Sequence, residues 1–422
     1  MSGKFDIRSA KDYLPGDKLR ELQFDRLRDA IVRVYDKVEH YRKLMDKAGV
    51  TPDALNSLDD IKKLPFTTKK DLRNTYPFGL AAVSLEEMVR LHAAGAGKPQ
   101  VSGYTVKDLD RGAEILLRAF AGYGIDDSDI VQVSDEFAPF TSQLGATVLT
   151  MSGDNVKHQI MVMKNIGVTA VCCTPTYFYY LIEKAAEYGL DLKGLPVRIG
   201  VLGSEPWSGE TREKIEESAA IKAFDIYGLP EIIGPVIGAE CECQNGLHIF
   251  EDHFYPEIIN PETGDVLPDG ETGELVLTTL TKEAMPVIRY RTGDITSIIP
   301  DKCSCGRTIR KIERVLSRCD DTCIVNGIPI FPSQLESAML SVEGIRPAYN
   351  IILTTENGMD HVEIEVGITG EIFSDKVRAM EDLRQKLKAA IELSLGIRSD
   401  IRLVTRLSGD GESGRIIDRR LK

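Results

Sequence analysis

The chain has 422 residues, 42% hydrophobic and 28% charged; these are globular proportions, and the length exceeds one ordinary core, so two or three domains are expected. A formal net charge of −13 argues against a broad nucleic-acid-binding surface, while leaving room for a local basic pocket for phosphates. No apolar run reaches the ~18 residues of a membrane span, and Met1-Ser2-Gly3-Lys4-Phe5-Asp6 lacks the apolar stretch of a secretory leader, so the cytoplasm is the expected compartment.

In chain order, Leu27, Ile31, Val34, Val38 and Met45 recur at helical spacing between charged positions and predict a helical N-terminal segment over 1–80, whose first long run stops at Gly49. A short helix from Leu58 to Leu64 ends before Pro65. From residue 88 onward, short apolar runs alternate with amphipathic helices: Ile130-Val131-Gln132-Val133, Ala146-Thr147-Val148-Leu149, Val168-Thr169-Ala170-Val171 and Ile199-Gly200-Val201-Leu202. That alternation predicts α/β units around a largely parallel sheet. Turn signals at Pro261-Glu262-Thr263-Gly264 and Pro268-Asp269-Gly270 precede a strand, Glu274-Leu275-Val276-Leu277. A domain boundary is expected near Arg318 to Asp321. Beyond it come an alternating strand over Val362 to Val366, a helix from Ser374 to Leu395 stopped by Gly396, and a strand over Ile401 to Val404, which together read as a small α+β domain.

The eight cysteines fall in close pairs: Cys172/Cys173, Cys241/Cys243, Cys303/Cys305 and Cys319/Cys323. Such spacings favour thiols or metal ligands over a disulfide framework. Cys241, His248, Cys303 and Cys305 are the candidate zinc ligands, because soft thiolates with an imidazole suit a tetrahedral ion; Cys243 competes for the fourth place, and a set of buried thiols is the plain alternative. Four protein ligands would leave no open position, so such a zinc would be structural. Cys172 and Cys173 lie on a predicted strand and read as core, whereas Cys319 and Cys323 stay unassigned.

Two motifs suggest an adenylate pocket. In Tyr227-Gly228-Leu229-Pro230-Glu231-Ile232-Ile233-Gly234, a Tyr beside a Gly can lay its ring against a purine, and the Glu four positions on can reach a phosphate-bound Mg²⁺. In Arg289-Tyr290-Arg291-Thr292-Gly293-Asp294, an Asp ending a Gly turn can accept two ribose hydroxyls. With Leu64-Pro65-Phe66-Thr67-Thr68-Lys69, Tyr76-Pro77-Phe78-Gly79, Cys173-Thr174-Pro175, Glu251-Asp252-His253-Phe254, Thr278 to Asp294 and Phe331-Pro332-Ser333-Gln334, the chain resembles the AMP-forming adenylating enzymes, and among them the phenylacetate–CoA ligase branch, over nearly its whole length.

The resemblance implies an α/β fold with a large N-terminal adenylate-forming domain, 1–317, containing parallel-rich sheets, and a small C-terminal α+β lid, 318–422. It implies ATP, Mg²⁺ and coenzyme A as cofactors, a small aromatic acid as partner, no nucleic acid or membrane partner, and room for a homodimer. It assigns Tyr227 and Gly228 to adenine, Asp294 and Arg318 to ribose, Glu231 to Mg²⁺ and Gly203-Ser204-Glu205-Pro206 to the nucleotide. It assigns Lys98 to phosphate, Asp320 to the hinge, and Gly327 with Phe331 to Gln334 to the face that receives coenzyme A. Relatives carry similar Cys and His pairs that look structural.

The departures from the family pattern carry equal weight. Pro230 stands where a Ser or Thr is usual, removing a hydroxyl and an N–H. The phosphate segment His92-Ala93-Ala94-Gly95-Ala96-Gly97-Lys98-Pro99 is short and has no hydroxyl. Glu412 falls where a lysine normally meets the α-phosphate, with Arg415 as a substitute if the loop shifts. The stretch Ser134 to Gln143 is shortened and acidic: Asp135 and Glu136 would repel an acyl carboxylate if they face the pocket, or belong to a solvated loop if they do not, while Phe137 and Phe140 could wall it. The expected function is AMP-forming ligation of a small aromatic, phenylacetate-like acid to coenzyme A. The alternatives are a degenerate paralogue that binds nucleotide or a partner, and transfer of AMP to another acceptor.

Overall fold

The structure is a computed structural model describing residues 10–94, 100–151, 156–315, 317–319, 323–325, 328–330, 332–342, 345–356, 359–368, 377–405, 407 and 415–420. Lys98, Asp320, Gly327, Phe331 and Glu412 fall outside the described residues. The chain divides into two compact units, one comprising Met1–Thr174, Lys184–Ser204 and Ala220–Arg314, the other Pro175–Glu183, Glu205–Ala219 and Val315–Lys422.

The first unit begins with helices Gly16–Lys37 and Glu39–Ala48, separated where Val38 leaves helical geometry (φ −116°, ψ 104°). Leu27, Ile31, Val34, Val38 and Met45 are all buried, as the spacing predicts, and Gly49 caps the second helix. A 3₁₀ turn, Leu58–Lys63, held by a Ser57/Asp60 capping box, ends before Pro65. These elements share a core with Leu280, Ala284, Met285 and Ile288.

Five strands of a nine-stranded sheet run parallel in the order Thr147–Thr150, Ile130–Val133, Ala170–Cys173, Ile199–Gly203 and Lys222–Leu229. The remaining four are antiparallel: Gly234–Ala239, Leu247–Ile249, Lys311–Ile312 and Ile298–Ile299. The sheet is therefore mixed rather than largely parallel, because the turn after Leu229 folds the chain straight back against its own strand. The strand expected over 274–277 is the centre of Gly273–Thr279, which pairs antiparallel with Phe254–Ile259 and Tyr290–Thr296.

In the second unit, Ile345–Glu356 and Met359–Ile368 form an antiparallel pair flanked in parallel by Arg415–Asp418 and Asp400–Val404. Val362, Ile364 and Val366 face a core shared with Leu387 and Ile391 of the helix Val377–Leu395. Glu336 of the helix Pro332–Leu340 is buried and accepts bonds from the Thr211 hydroxyl at 2.7 Å and the Ser208 N–H at 3.2 Å.

Candidate active site

The site of the first unit is built where its parallel strands end. Ala223 to Ile226 of Lys222–Leu229 are buried, and exposure increases at Tyr227. Two glycines allow the backbone to close here. A Cβ at Gly203 would lie 2.2 Å from the Ile226 carbonyl oxygen, and one at Gly228 would lie 2.5 Å from that of Gly234. Ser204 follows with φ 68°, a left-handed geometry unfavourable for a residue with a side chain.

Tyr227 and Asp294 meet: the phenol donates to Asp294 Oδ2 at 2.5 Å. Asp294 is buried on Tyr290–Thr296, and its backbone N–H donates to the Thr292 hydroxyl at 3.0 Å, which holds the local turn. The Tyr290 hydroxyl donates to Glu231 Oε1 at 3.4 Å, while the buried Oε2 of Glu231 has no hydrogen-bond partner among the described residues. An orphaned carboxylate oxygen in that place fits a hard cation such as Mg²⁺. The Pro230 carbonyl receives the Ser102 hydroxyl at 2.6 Å. A small cavity lined by Thr75, Tyr76, Ser102, Glu231, Met285 and Val287 brings the Tyr76 motif to the Glu231 side.

Other motif residues hold this frame. The Arg289 guanidinium donates to Glu257 at 3.0 and 2.9 Å and to the Leu64 carbonyl at 2.9 Å, and it lies 4.0 Å from the centroid of the Phe66 ring. Arg291 pairs with Glu274. Thr67 is bonded to the backbone on both sides of Tyr290, donating to Arg289 at 3.0 Å and accepting from Arg291 at 2.9 Å.

The shortened stretch after Ile130–Val133 divides its residues. Asp135 is exposed, Glu136 turns half inward, and Phe137 and Phe140 are buried. Phe140 is seated on Gly112, packs against Gly234, and stands edge-on to Tyr104 at 5.9 Å. Glu205 and Pro206 belong to the second unit, apart from Gly203 and Ser204; there the Glu205 carboxylate accepts the Thr176 N–H at 2.6 Å, and burial pushes its pKa up. Arg318 is half-buried on the strand Ser317–Arg318 of that same unit.

Cys241, His248, Cys303 and Cys305 come together, with their ligand atoms all within 4.8 Å of one another. The Cys241 and Cys303 sulfurs are 3.6 Å apart, and Cys305 Sγ lies 3.4 Å from His248 Nε2. Zinc bond lengths imply tetrahedral edges of about 3.8 Å between sulfurs and about 3.6 Å between sulfur and nitrogen. His248 Nδ1 faces the Ile309 carbonyl at 3.3 Å, an arrangement that leaves Nε2 free to ligate when the proton is on Nδ1. Cys241 belongs to this cluster, whereas Cys243 Sγ lies 3.1 Å from the Ser304 hydroxyl.

A buried charged network of the first unit was not anticipated from the sequence. Buried Arg118 bonds Asp12 and Asp252; His253 Nε2 lies 3.1 Å from Asp252, and Glu251 receives Arg310 at 2.7 Å. The signal was visible as an arginine inside the apolar run Ile115-Leu116-Leu117-Arg118-Ala119-Phe120. Lys282 was missed as well: its ammonium is buried 4.1 Å from the centroid of the Tyr104 ring, and desolvation pushes its pKa down to about 8.

Comparison with known proteins gives consistent matches. The family described as "AMP-binding enzyme" matches residues 130–280, and "AMP-binding enzyme C-terminal domain" matches 327–420. The chain is 38% identical over 415 residues to a phenylacetate-coenzyme A ligase of Thermus thermophilus, covering 93% of each chain. It is 39% identical over 420 residues to that of Pseudomonas putida, covering 96% of this chain and 95% of the relative. Among solved structures, 2-hydroxyisobutyryl-CoA ligase with 2-HIB-AMP in the postadenylation state shares the fold with a TM-score of 0.90 at 24% identity, covering 99% of this chain and 95% of that one. No helix among the described residues is long and apolar enough to cross a membrane.

Proposed function

Because the chain belongs to the phenylacetate–CoA ligase family of AMP-forming enzymes, we propose that it ligates a small aromatic, phenylacetate-like acid to coenzyme A through an acyl adenylate. The observation that carries this reading is the convergence of Tyr227, Asp294 and the orphaned Glu231 oxygen beside the Phe140–Tyr104 aromatic pair. The acid's carboxylate oxygen attacks the α-phosphorus of ATP and pyrophosphate leaves. The thiol of coenzyme A then attacks the acyl carbon, loses its proton, and AMP leaves.

In this reading the Tyr227 ring lies against adenine, and Gly228 lets the backbone approach it. Asp294 accepts the ribose hydroxyls alongside the Tyr227 phenol, which already donates to its Oδ2. Glu231 holds Mg²⁺, which when bound supplies positive charge to the phosphates. Gly203 and Ser204 border the nucleotide; the resemblance also gives Glu205, Pro206 and Arg318 nucleotide-binding roles, Lys98 a phosphate role, Asp320 the role of hinge and 318–422 that of a lid. These last assignments rest on the family resemblance. Steady-state formation of AMP, pyrophosphate and an acyl-CoA from ATP, coenzyme A and a panel of arylacetic and aliphatic acids tests the reading. Turnover confined to aromatic acids is expected, and a preference for aliphatic acids would overturn the substrate assignment. The absence of hydroxyls from His92 to Pro99 favours a second reading, nucleotide binding with little turnover, which the same assay would reveal as binding without pyrophosphate release.

We infer further that Cys241, His248, Cys303 and Cys305 hold one structural zinc. Elemental analysis of protein purified without chelator is expected to give about one zinc per chain, and Cys303→Ser to lower both zinc content and melting temperature, since zinc binding is linked to folding. Zinc-free protein that takes up none on addition would contradict the assignment.

A further inference from the structure

The turn after Lys222–Leu229 carries Pro230 and Glu231, and a hydroxyl reaches it from a distant part of the chain. Ser102 lies on the strand Gln100–Tyr104, is buried, and donates its hydroxyl to the Pro230 carbonyl at 2.6 Å. Pro230 has no hydroxyl of its own, so Ser102 brings one to the residue next to Glu231. The small cavity beside Glu231 has a volume of about 20 Å³, room for one water, which takes roughly 10–15 Å³. Its polar lining consists of Glu231, Ser102, Thr75 and the exposed Tyr76, and the rest is apolar.

A hydroxyl carries one proton, and in two of these residues it is already committed. The Ser102 proton goes to the Pro230 carbonyl, and the Thr75 hydroxyl donates to the Asp71 carbonyl at 2.8 Å. Both oxygens therefore have only acceptor lone pairs left. An ionised carboxylate is likewise acceptor-only, and the buried Oε2 of Glu231 has no hydrogen-bond partner among the described residues. Three side chains around a cavity for one water thus offer acceptors and no donor. An ordinary water brings two protons and two lone pairs, and its lone pairs would find no donor among these three. A water whose oxygen is bound to a cation has only its protons to offer, and Mg²⁺ dehydrates reluctantly and keeps several such waters.

We propose that Ser102 is a positioning residue for the Mg²⁺ of Glu231: with Thr75 and Glu231 it accepts the protons of one water of the ion's hydration shell, held in this cavity. This rests on the Glu231 metal reading above. Partners of this kind orient what the ion binds, and their removal typically costs about 10–100-fold in metal affinity. The strand placement fits the role. The segment from His92 to Pro99 has no hydroxyl, and Ser102 is the first one on the strand that leaves it.

The test titrates Mn²⁺ into the full chain saturated with α,β-methylene-ATP, which cannot be cleaved at the α-phosphorus, and reads free Mn²⁺ by electron paramagnetic resonance. Ser102→Ala is expected to raise the Kd for Mn²⁺ by about tenfold. Its calorimetric affinity for the nucleotide in chelator should stay within about twofold of the wild type, a free-energy change of roughly 0.4 kcal/mol. Thr75→Val removes the other hydroxyl without touching the Pro230 carbonyl and should weaken Mn²⁺ in the same direction. A Kd for Mn²⁺ within twofold of the wild type in Ser102→Ala would overturn this inference and leave the Glu231 and ligase readings intact; should that variant fail to fold, the same result in Thr75→Val would do so. Equal losses of nucleotide affinity with and without metal would make the role of Ser102 structural and would also overturn it. Unchanged Mn²⁺ affinity in Glu231→Gln would overturn the Glu231 metal reading, and this inference with it.

Discussion

Arg118→Met is expected to destabilise the protein by about 3–5 kcal/mol, the usual cost of removing one partner from a buried ion pair. Methionine keeps most of the side-chain volume, so the loss is mainly electrostatic. Arg118 is 1% exposed and bonds Asp12 and Asp252, both 0% exposed. Arg307 still reaches Asp12 at 3.2 Å, and Lys11 and His253 still flank Asp252, so the carboxylates keep partial compensation. The pH dependence separates charge from packing. Burial opposes ionisation of Asp252, but His253 and Arg118 outweigh it and hold its carboxyl well below the usual carboxylate range. A depressed folded-state pKa contributes stability above the unfolded value of about 3.9, lost as pH falls through the folded value. The variant lacks much of that contribution at neutral pH. Its deficit against the wild type should therefore narrow as pH falls below about 4. Denaturant titrations showing an unchanged midpoint at equal m value would contradict this role, and a deficit independent of pH would assign the loss to packing.

Glu231→Gln is expected to slow adenylation by about 10²–10³-fold, the cost typical of removing one preorganised electrostatic partner. The substitution keeps the shape and can keep the Tyr290 contact at Oε1, while removing the charge from the orphaned Oε2. Tyr227 and Asp294 bond each other independently of Glu231, so calorimetric affinity for AMP without metal should stay within about twofold, a free-energy change of roughly 0.4 kcal/mol. A variant that adenylates at the wild-type rate would remove Glu231 from the metal site. A variant that loses AMP affinity in the absence of metal would make its role structural.

Particular residues explain how much of this was legible in the sequence. Leu27, Ile31, Val34 and Val38 carry a strong helical period, and all are buried. The four expected parallel strands lie within two residues of the observed ones because short apolar runs mark them; Ile130–Val133, Ala170–Cys173 and Ile199–Gly203 are largely buried, whereas the edge strand Thr147–Thr150 is not. The antiparallel half was not legible: Ile298–Ile299 and Lys311–Ile312 have two residues each, too few to show a period. Within the site, Tyr227, Glu231 and Asp294 could be named because chemistry restricts those positions. Tyr290, inside the same motif, was passed over because its role needs the contact with Glu231. Asp135 and Glu136 are chemically alike and adjacent; the local backbone sends one to solvent and the other toward Ser204. Spacing similarly could not choose between Cys241 and Cys243, which tertiary packing separates.

The central claim, that this chain activates an acid by joining it to AMP, is tested most directly by following a carboxylate oxygen. An acid labelled with oxygen-18 in its carboxyl group is incubated with enzyme, ATP, Mg²⁺ and coenzyme A, and the products are weighed by mass spectrometry. Attack on the α-phosphorus followed by thiolysis leaves one carboxylate oxygen on the departing AMP, so AMP carrying a single label alongside unlabelled pyrophosphate is the predicted result. Label in inorganic phosphate with ADP as the nucleotide product, or acyl-CoA formed with unlabelled AMP, would contradict it.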